Sequence, residues 1–180
     1  MKVKTLAYIS LLTALTTVGA IISIPLPFSP VPLTLQLPFT LISGVVLGPK
    51  YGAFCQLLYL ALGAAGLPVF AQHRGGFNML WGPTSGFLWG FVLSAYVTGW
   101  IAQRTRPESS QSIFLCLVVG LLVIYCCGIA GLQLVVGYDL VQAVTYGIMP
   151  FIIADLGKLI VTTLILQRLN KLGWTQYRSK

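Results

Sequence analysis

In the stretch Tyr146-Gly147-Ile148-Met149-Pro150-Phe151-Ile152-Ile153-Ala154-Asp155-Leu156-Gly157-Lys158-Leu159-Ile160-Val161-Thr162-Thr163-Leu164-Ile165-Leu166, an apolar run of membrane-spanning length holds two ionisable groups. Asp155 and Lys158 are three residues apart and share one helix face. On insertion scales each costs about 2.5–3.5 kcal/mol at the bilayer centre. The chain has three acidic residues in all, and one of them is here. Ionisable groups inside a span point to a substrate or ion site. The competing reading is a buried ion pair that fixes helix packing.

Outward from this run, the chain is built of similar apolar segments without the charges. Of 180 residues, 57% are hydrophobic and 8% charged, and the mean hydropathy is +0.89. Soluble domains carry about 25% charged residues, so the chain reads as an all-α integral membrane protein. Its apolar runs are long and unbroken, unlike the alternating pattern of a β-barrel. At about 20 residues per span there is room for five or six helices and no soluble catalytic domain. The net charge of +8 does not indicate nucleic-acid binding, because the basic residues flank apolar runs. Lys2, Lys4, Lys50, Arg104, Arg106, Arg168, Lys171, Arg178 and Lys180 fall at ends that read as cytoplasmic. Arg74 is left outside and Lys158 within the membrane. The start, Met1-Lys2-Val3-Lys4 before an apolar run, has the form of a signal peptide. Because more membrane-like sequence follows, it is read as an uncleaved first span.

The expected organisation is one transmembrane domain over residues 1–180 with six spans, about 5–24, 34–47, 51–67, 84–103, 112–136 and 142–168. Both termini are expected to be cytoplasmic. The first span stops at Pro25-Leu26-Pro27-Phe28-Ser29-Pro30-Val31-Pro32, where four prolines in eight residues forbid a regular helix. Apolar, non-helical backbone at membrane depth must be covered by protein or line a cavity. This segment is therefore read as a lid loop between helices 1 and 2, against the alternative of an interfacial linker. Gly48-Pro49-Lys50 makes a turn, and Pro150 is expected to kink the last span. Gly82, Gly86 and Gly90 form a small-residue stripe that suits close helix packing within the molecule. Ser10 and Ala14 form a similar pair on the first span, where a partner protein competes as the explanation.

Few residues can carry chemistry. Asp155 can accept hydrogen bonds from ligand N–H groups, and Lys158 can donate to a carbonyl or neutralise a carboxylate. Asn78, beside Gly75-Gly76, offers a donor and an acceptor, although Asn near Gly is commonly turn chemistry. Thr84 or Ser85 can cap the fourth span, whose positive end suits a carboxylate. Phe70, Phe77 and Trp81 can pack against a ring, or simply serve as core or interface aromatics. No GxxxxGK[ST], HExxH or GxSxG occurs, and the four cysteines form no CxxC. One histidine and three carboxylates leave little for a metal site. The expectation is a transport protein rather than an enzyme, with no metal and no cofactor.

Five features together resemble the BioY family, the biotin-specific substrate-binding components of energy-coupling factor (ECF) transporters. They are the segment Pro25 to Pro32; Leu62-Gly63-Ala64-Ala65-Gly66-Leu67-Pro68-Val69-Phe70; Gly75-Gly76 leading to Gly82-Pro83-Thr84-Ser85-Gly86-Phe87-Leu88-Trp89-Gly90-Phe91; the Asp155–Lys158 pair; and the Ser10–Ala14 pair. The resemblance runs from about Leu6 to Leu169. It implies six helices around a ligand cavity in the cell membrane, with Asn78, Asp155 and Lys158 lining a biotin site. It also implies docking through Ser10 and Ala14 to a transmembrane coupling protein, with two cytoplasmic ATPases that would hydrolyse the ATP. Ser85 stands where the family frequently has Gly, and Ile153-Ala154 where a Pro-Gly pair is common. A related subunit for another vitamin and a stand-alone proton-coupled biotin permease are the alternatives.

Overall fold

The structure, a computed structural model, describes residues 3–173. Lys2, Arg178 and Lys180, which the charge pattern placed in the cytoplasm, lie outside the described residues. Among the described residues six α-helices run in chain order: α1 (Val3–Ile21), α2 (Gln36–Ala64), α3 (Ser85–Thr105), α4 (Ser110–Gly131), α5 (Leu140–Gly147) and α6 (Ile152–Lys171). A π-helical turn, Leu132–Val136, extends α4. The only strands among the described residues are Ser23–Ile24 and Leu33–Thr34, paired antiparallel.

Each boundary follows from local chemistry. The prolines from Pro25 to Pro32 keep that segment out of α1, and the two-residue ladder ties its ends together. At the start of α4, Ser109 accepts from the Ser112 amide at 3.1 Å. Asp139 and Gln142 form a capping box at the start of α5, which gives this outlying acidic residue a structural role. The expected kinked last span is two helices, α5 and α6, set 55° apart across a break that contains Pro150. Proline has no amide to donate and its ring clashes with the preceding turn.

The expected second and third spans are the two arms of α2. Gly48 separates them at φ 77° and ψ 177°, a conformation open essentially to glycine alone. The arms fold back on each other. Gln56 Nε2 donates to Ser43 Oγ at 3.0 Å, and Gln36 Nε2 donates to the Tyr59 hydroxyl at 2.7 Å. Each arm is shorter than the roughly 20 residues that a perpendicular span requires. By length and composition four helices among the described residues can cross a membrane, or five if α5 and α6 count as one bent span.

α2 packs on α1 and α3, and α4 packs on α3 and α6. Polar side chains between α1 and the arms of α2 satisfy one another. Thr13 Oγ1 donates to the Cys55 carbonyl at 3.2 Å, Gln56 Nε2 to Thr16 Oγ1 at 3.5 Å, and Thr40 Oγ1 to Gln56 Oε1 at 3.4 Å. Such bonds join helices where lipid supplies no hydrophobic drive. Two members of the glycine stripe behave as expected. A Cβ on Gly86 would collide with the Cys127 carbonyl of α4 and approach Gly131 Cα to 2.8 Å. Gly90 faces Ile124 and Cys127. Gly82 departs from the expectation, since it precedes α3 and makes no close helix contact.

Candidate ligand site

The loops at one end of the bundle and the helix ends beneath them enclose a cavity of about 380 Å³. That lies within the range of small-molecule sites. Its wall combines Ser29 to Pro32 of the proline-rich segment, Thr34, Gln36 and Leu37 at the start of α2, and Phe70 to Gln72 and Arg74 of the following loop. Met79, Pro83 and Thr84, then Phe87, Leu88 and Phe91 of α3, Ile124 and Tyr125 of α4, and Gly147, Phe151, Asp155 and Lys158 complete it.

Asp155 is buried, at 5% exposure, in the first turn of α6. The first turn offers its amides and positive dipole end to a carboxylate. Lys158 Nζ donates to Asp155 Oδ1 at 2.7 Å. The Tyr125 hydroxyl donates to Asp155 Oδ2, also at 2.7 Å. One anion is thus held by a cation from its own helix and a neutral donor from another. An ammonium has three donors and a carboxylate about four acceptor positions. Both groups retain capacity for a ligand that brings a carbonyl and N–H groups.

The loops above are ordered by specific contacts. Phe70 is buried against Gly63, where a Cβ would collide with its ring, and it meets Tyr59 edge-on at 5.4 Å. Thr34 Oγ1 donates to Gln36 Oε1 at 3.1 Å, Gln36 to the Tyr59 hydroxyl, and Tyr59 to the Val69 carbonyl at 3.1 Å. This chain links the end of the proline-rich segment to the loop that carries Phe70. One further bond leaves the segment itself and another its flanking strand. Ser29 Oγ donates to the Tyr146 carbonyl of α5 at 2.6 Å, and Ser23 Oγ accepts from the Gln72 amide at 3.1 Å. Gln72 and His73 both have positive φ, 60° and 57°. Strained backbone of this kind clusters at ligand clamps.

Four of the seven ligand-site residues expected from sequence therefore meet at one cavity: Asp155, Lys158, Thr84 and Phe70. Thr84 does so as the N-cap of α3, without a side-chain cap bond. The structure does not bring the other three to the wall. Asn78 and Phe77 are exposed on a 3₁₀ turn, Phe77–Trp81, and Asn78 Oδ1 folds back over Gly76. That is the turn role of an Asn near Gly. From this turn Met79 faces the cavity instead. Ser85 is buried at the start of α3, outside the cavity wall. Trp81 is exposed. Ser10 and Ala14 lie on the exposed side of α1.

Tyr125, Gln36 and Arg74 are wall residues that sequence reasoning passed over. Tyr125 sits mid-run among Leu, Ile and Cys, where a hydroxyl in hydrocarbon is itself a signal that a partner is near. Arg74 is the one cation left outside by the charge pattern, and the structure sets it in the cavity wall.

The BioY family model matches residues 1–173. The chain is similar to the biotin transporter BioY of Thermotoga maritima, 48% identical over 89% of this chain and 92% of the relative. It is 40% identical to the probable biotin transporter BioY of Pyrococcus horikoshii, over 94% and 98%. It also resembles the crystal structure of the S-component for biotin from an ECF-type ABC transporter. There the TM-score is 0.88 at 28% identity, covering 94% of this chain and 92% of the other.

Proposed function

This chain belongs to the BioY family, and we propose that it captures biotin in the Asp155–Lys158 cavity as the substrate-binding subunit of an ATP-driven ECF transporter. It is a multi-pass membrane protein of the cell membrane, and its family is one of transporters rather than enzymes. The observation that carries the ligand reading is the Tyr125–Asp155–Lys158 cluster in a cavity wall that also offers aromatic and aliphatic side chains. Biotin has a ureido ring with two N–H donors and a carbonyl, an apolar bicycle and chain, and a carboxylate. The cluster matches the ureido end: Asp155 accepts from N–H, and Lys158 donates to the carbonyl. Phe70, Phe87, Leu88, Phe91 and Ile124 suit the bicycle and chain. Arg74 suits the carboxylate, because a guanidinium matches that group in both charge and shape.

Read as six traverses, with α2 contributing two short ones, the chain returns to the side of the membrane on which it starts. The basic flanks assign that side to the cytoplasm and the cavity to the outside. The proline-rich segment serves as the lid. Its wall contacts and its single hydrogen bond to α5 suit a cover that opens without unfolding a helix. On the far side of α1, Ser10 and Ala14 present a small-residue strip for close approach by a transmembrane coupling protein, which in turn engages two cytoplasmic ATPases.

Titration of the detergent-purified protein with biotin in a calorimeter tests the ligand. Tight binding is expected, with affinity lowered sharply but still measurably in Asp155→Asn and Lys158→Ala. A folded parent that binds no biotin, or that binds a different vitamin, refutes the assignment. Uptake in vesicles that follows a proton gradient without the ATPases refutes the ATP-driven reading.

A further inference from the structure

Asp155 has two partners in the cavity, and they differ in kind. Lys158 is one turn further along the same helix, so its bond does not depend on where α6 sits in the bundle. Tyr125 comes from α4, and its hydroxyl holds the other carboxylate oxygen. One hydrogen bond leaves a carboxylate free to turn; one bond at each oxygen sets its plane. Without a second donor, both oxygens can gather on the neighbouring ammonium, an attraction that strengthens as water is excluded. The Tyr125 hydroxyl instead keeps Oδ2 engaged on the α4 side. Two of about four acceptor positions are then used, and the remainder are held in a fixed direction. The ring of Tyr125 is buried in the same wall as Ile124 and Phe91, a place that phenylalanine would fill equally well. The hydroxyl is therefore the distinctive part of this residue.

Resting on the reading that biotin occupies this cavity, we propose that Tyr125 is a positioning residue. It aims the free lone pairs of Asp155 at the N–H groups of the ureido ring and so sets the preference for a cyclic urea with both N–H groups intact. Calorimetry on the purified full chain tests this with two ligands, biotin and biotin methylated at one ureido nitrogen. The proteins are the parent, Tyr125→Phe, Asp155→Asn and the double variant. Tyr125→Phe is expected to lower biotin affinity on the order of 10- to 100-fold, the scale of a hydrogen bond to a charged group. Its preference for biotin over the methylated ligand shrinks by a similar factor, while its unfolding temperature stays near the parent's. In the Asp155→Asn background, Tyr125→Phe costs less than about threefold, because residues that act as one unit are not additive. Unchanged affinity, an unchanged ligand preference or fully additive losses would overturn the proposal. Failure of Tyr125→Phe to fold would make the tyrosine structural and overturn it equally. A folded parent that binds neither ligand would bring down the biotin reading itself, an outcome separate from any result on Tyr125.

Discussion

Asp155 and Lys158 are joined at 2.7 Å in a setting that lipid alone would make costly. A site pair and a merely structural pair respond differently to substitution. Lys158→Met leaves the carboxylate without its cation, whereas Asp155→Leu with Lys158→Met removes both charges. Breaking one side of a buried pair costs up to about 3–5 kcal/mol, and replacing both with apolar groups is often neutral. The thermal unfolding midpoint is therefore expected to fall further in the single variant than in the double, and biotin binding to vanish in both. Binding that survives in the double variant would return the pair to a packing role. Arg74 calls for a different comparison. If it meets the carboxylate, Arg74→Ala weakens biotin about tenfold or more and leaves the affinity for biotin amide little changed. An equal loss for both ligands would show that Arg74 acts on the loop rather than on the carboxylate.

Among the elements, α3 and α4 approach closely enough at Gly86 and Gly131 for a single methyl group to matter. Gly86→Val forces a side chain against the Cys127 carbonyl and is expected to cost about 1–3 kcal/mol by overpacking. Gly157, on the exposed side of α6 with nothing within 4 Å of a built Cβ, is the control. Gly157→Ala is expected to be neutral or to stabilise by up to about 1 kcal/mol, since alanine is the better helix former. Thermal unfolding in detergent checks both. The proline-rich segment makes a kinetic prediction. Its Ser29 bond to the Tyr146 carbonyl is one hydrogen bond, worth about 1 kcal/mol net. Ser29→Ala is expected to speed biotin dissociation about fivefold with little change in association. A ligand-chase measurement that finds the off-rate unaltered would count against the proposed lid role of this segment.

For the whole molecule, the proposed reading puts capture and transport on separate surfaces. The cavity lies among the loops at one end, and the exposed side of α1 carries Ser10 and Ala14. Ala14→Leu adds bulk on the exposed side of α1. It is expected to leave biotin affinity unchanged and to reduce ATP-dependent uptake severalfold in vesicles that contain the partner subunits. Normal uptake would move the docking surface elsewhere. Composition and hydropathy already gave an all-helical membrane bundle, because those properties sum over local segments. The Asp155–Lys158 pairing was also legible, since helix periodicity alone puts residues i and i+3 on one face. Phe70 and Thr84, named from sequence as a ring-packing aromatic and a helix cap, also reach the cavity wall. Which residues of different helices face each other is another matter, because it depends on packing that no single segment encodes. The backfolded arms of α2, the break between α5 and α6, and the outward turn that exposes Asn78 and Phe77 all belong to that level. So does the cavity itself. In sequence Tyr125 is one aromatic in an apolar run, and only the approach of α4 to α6 places its hydroxyl on Asp155.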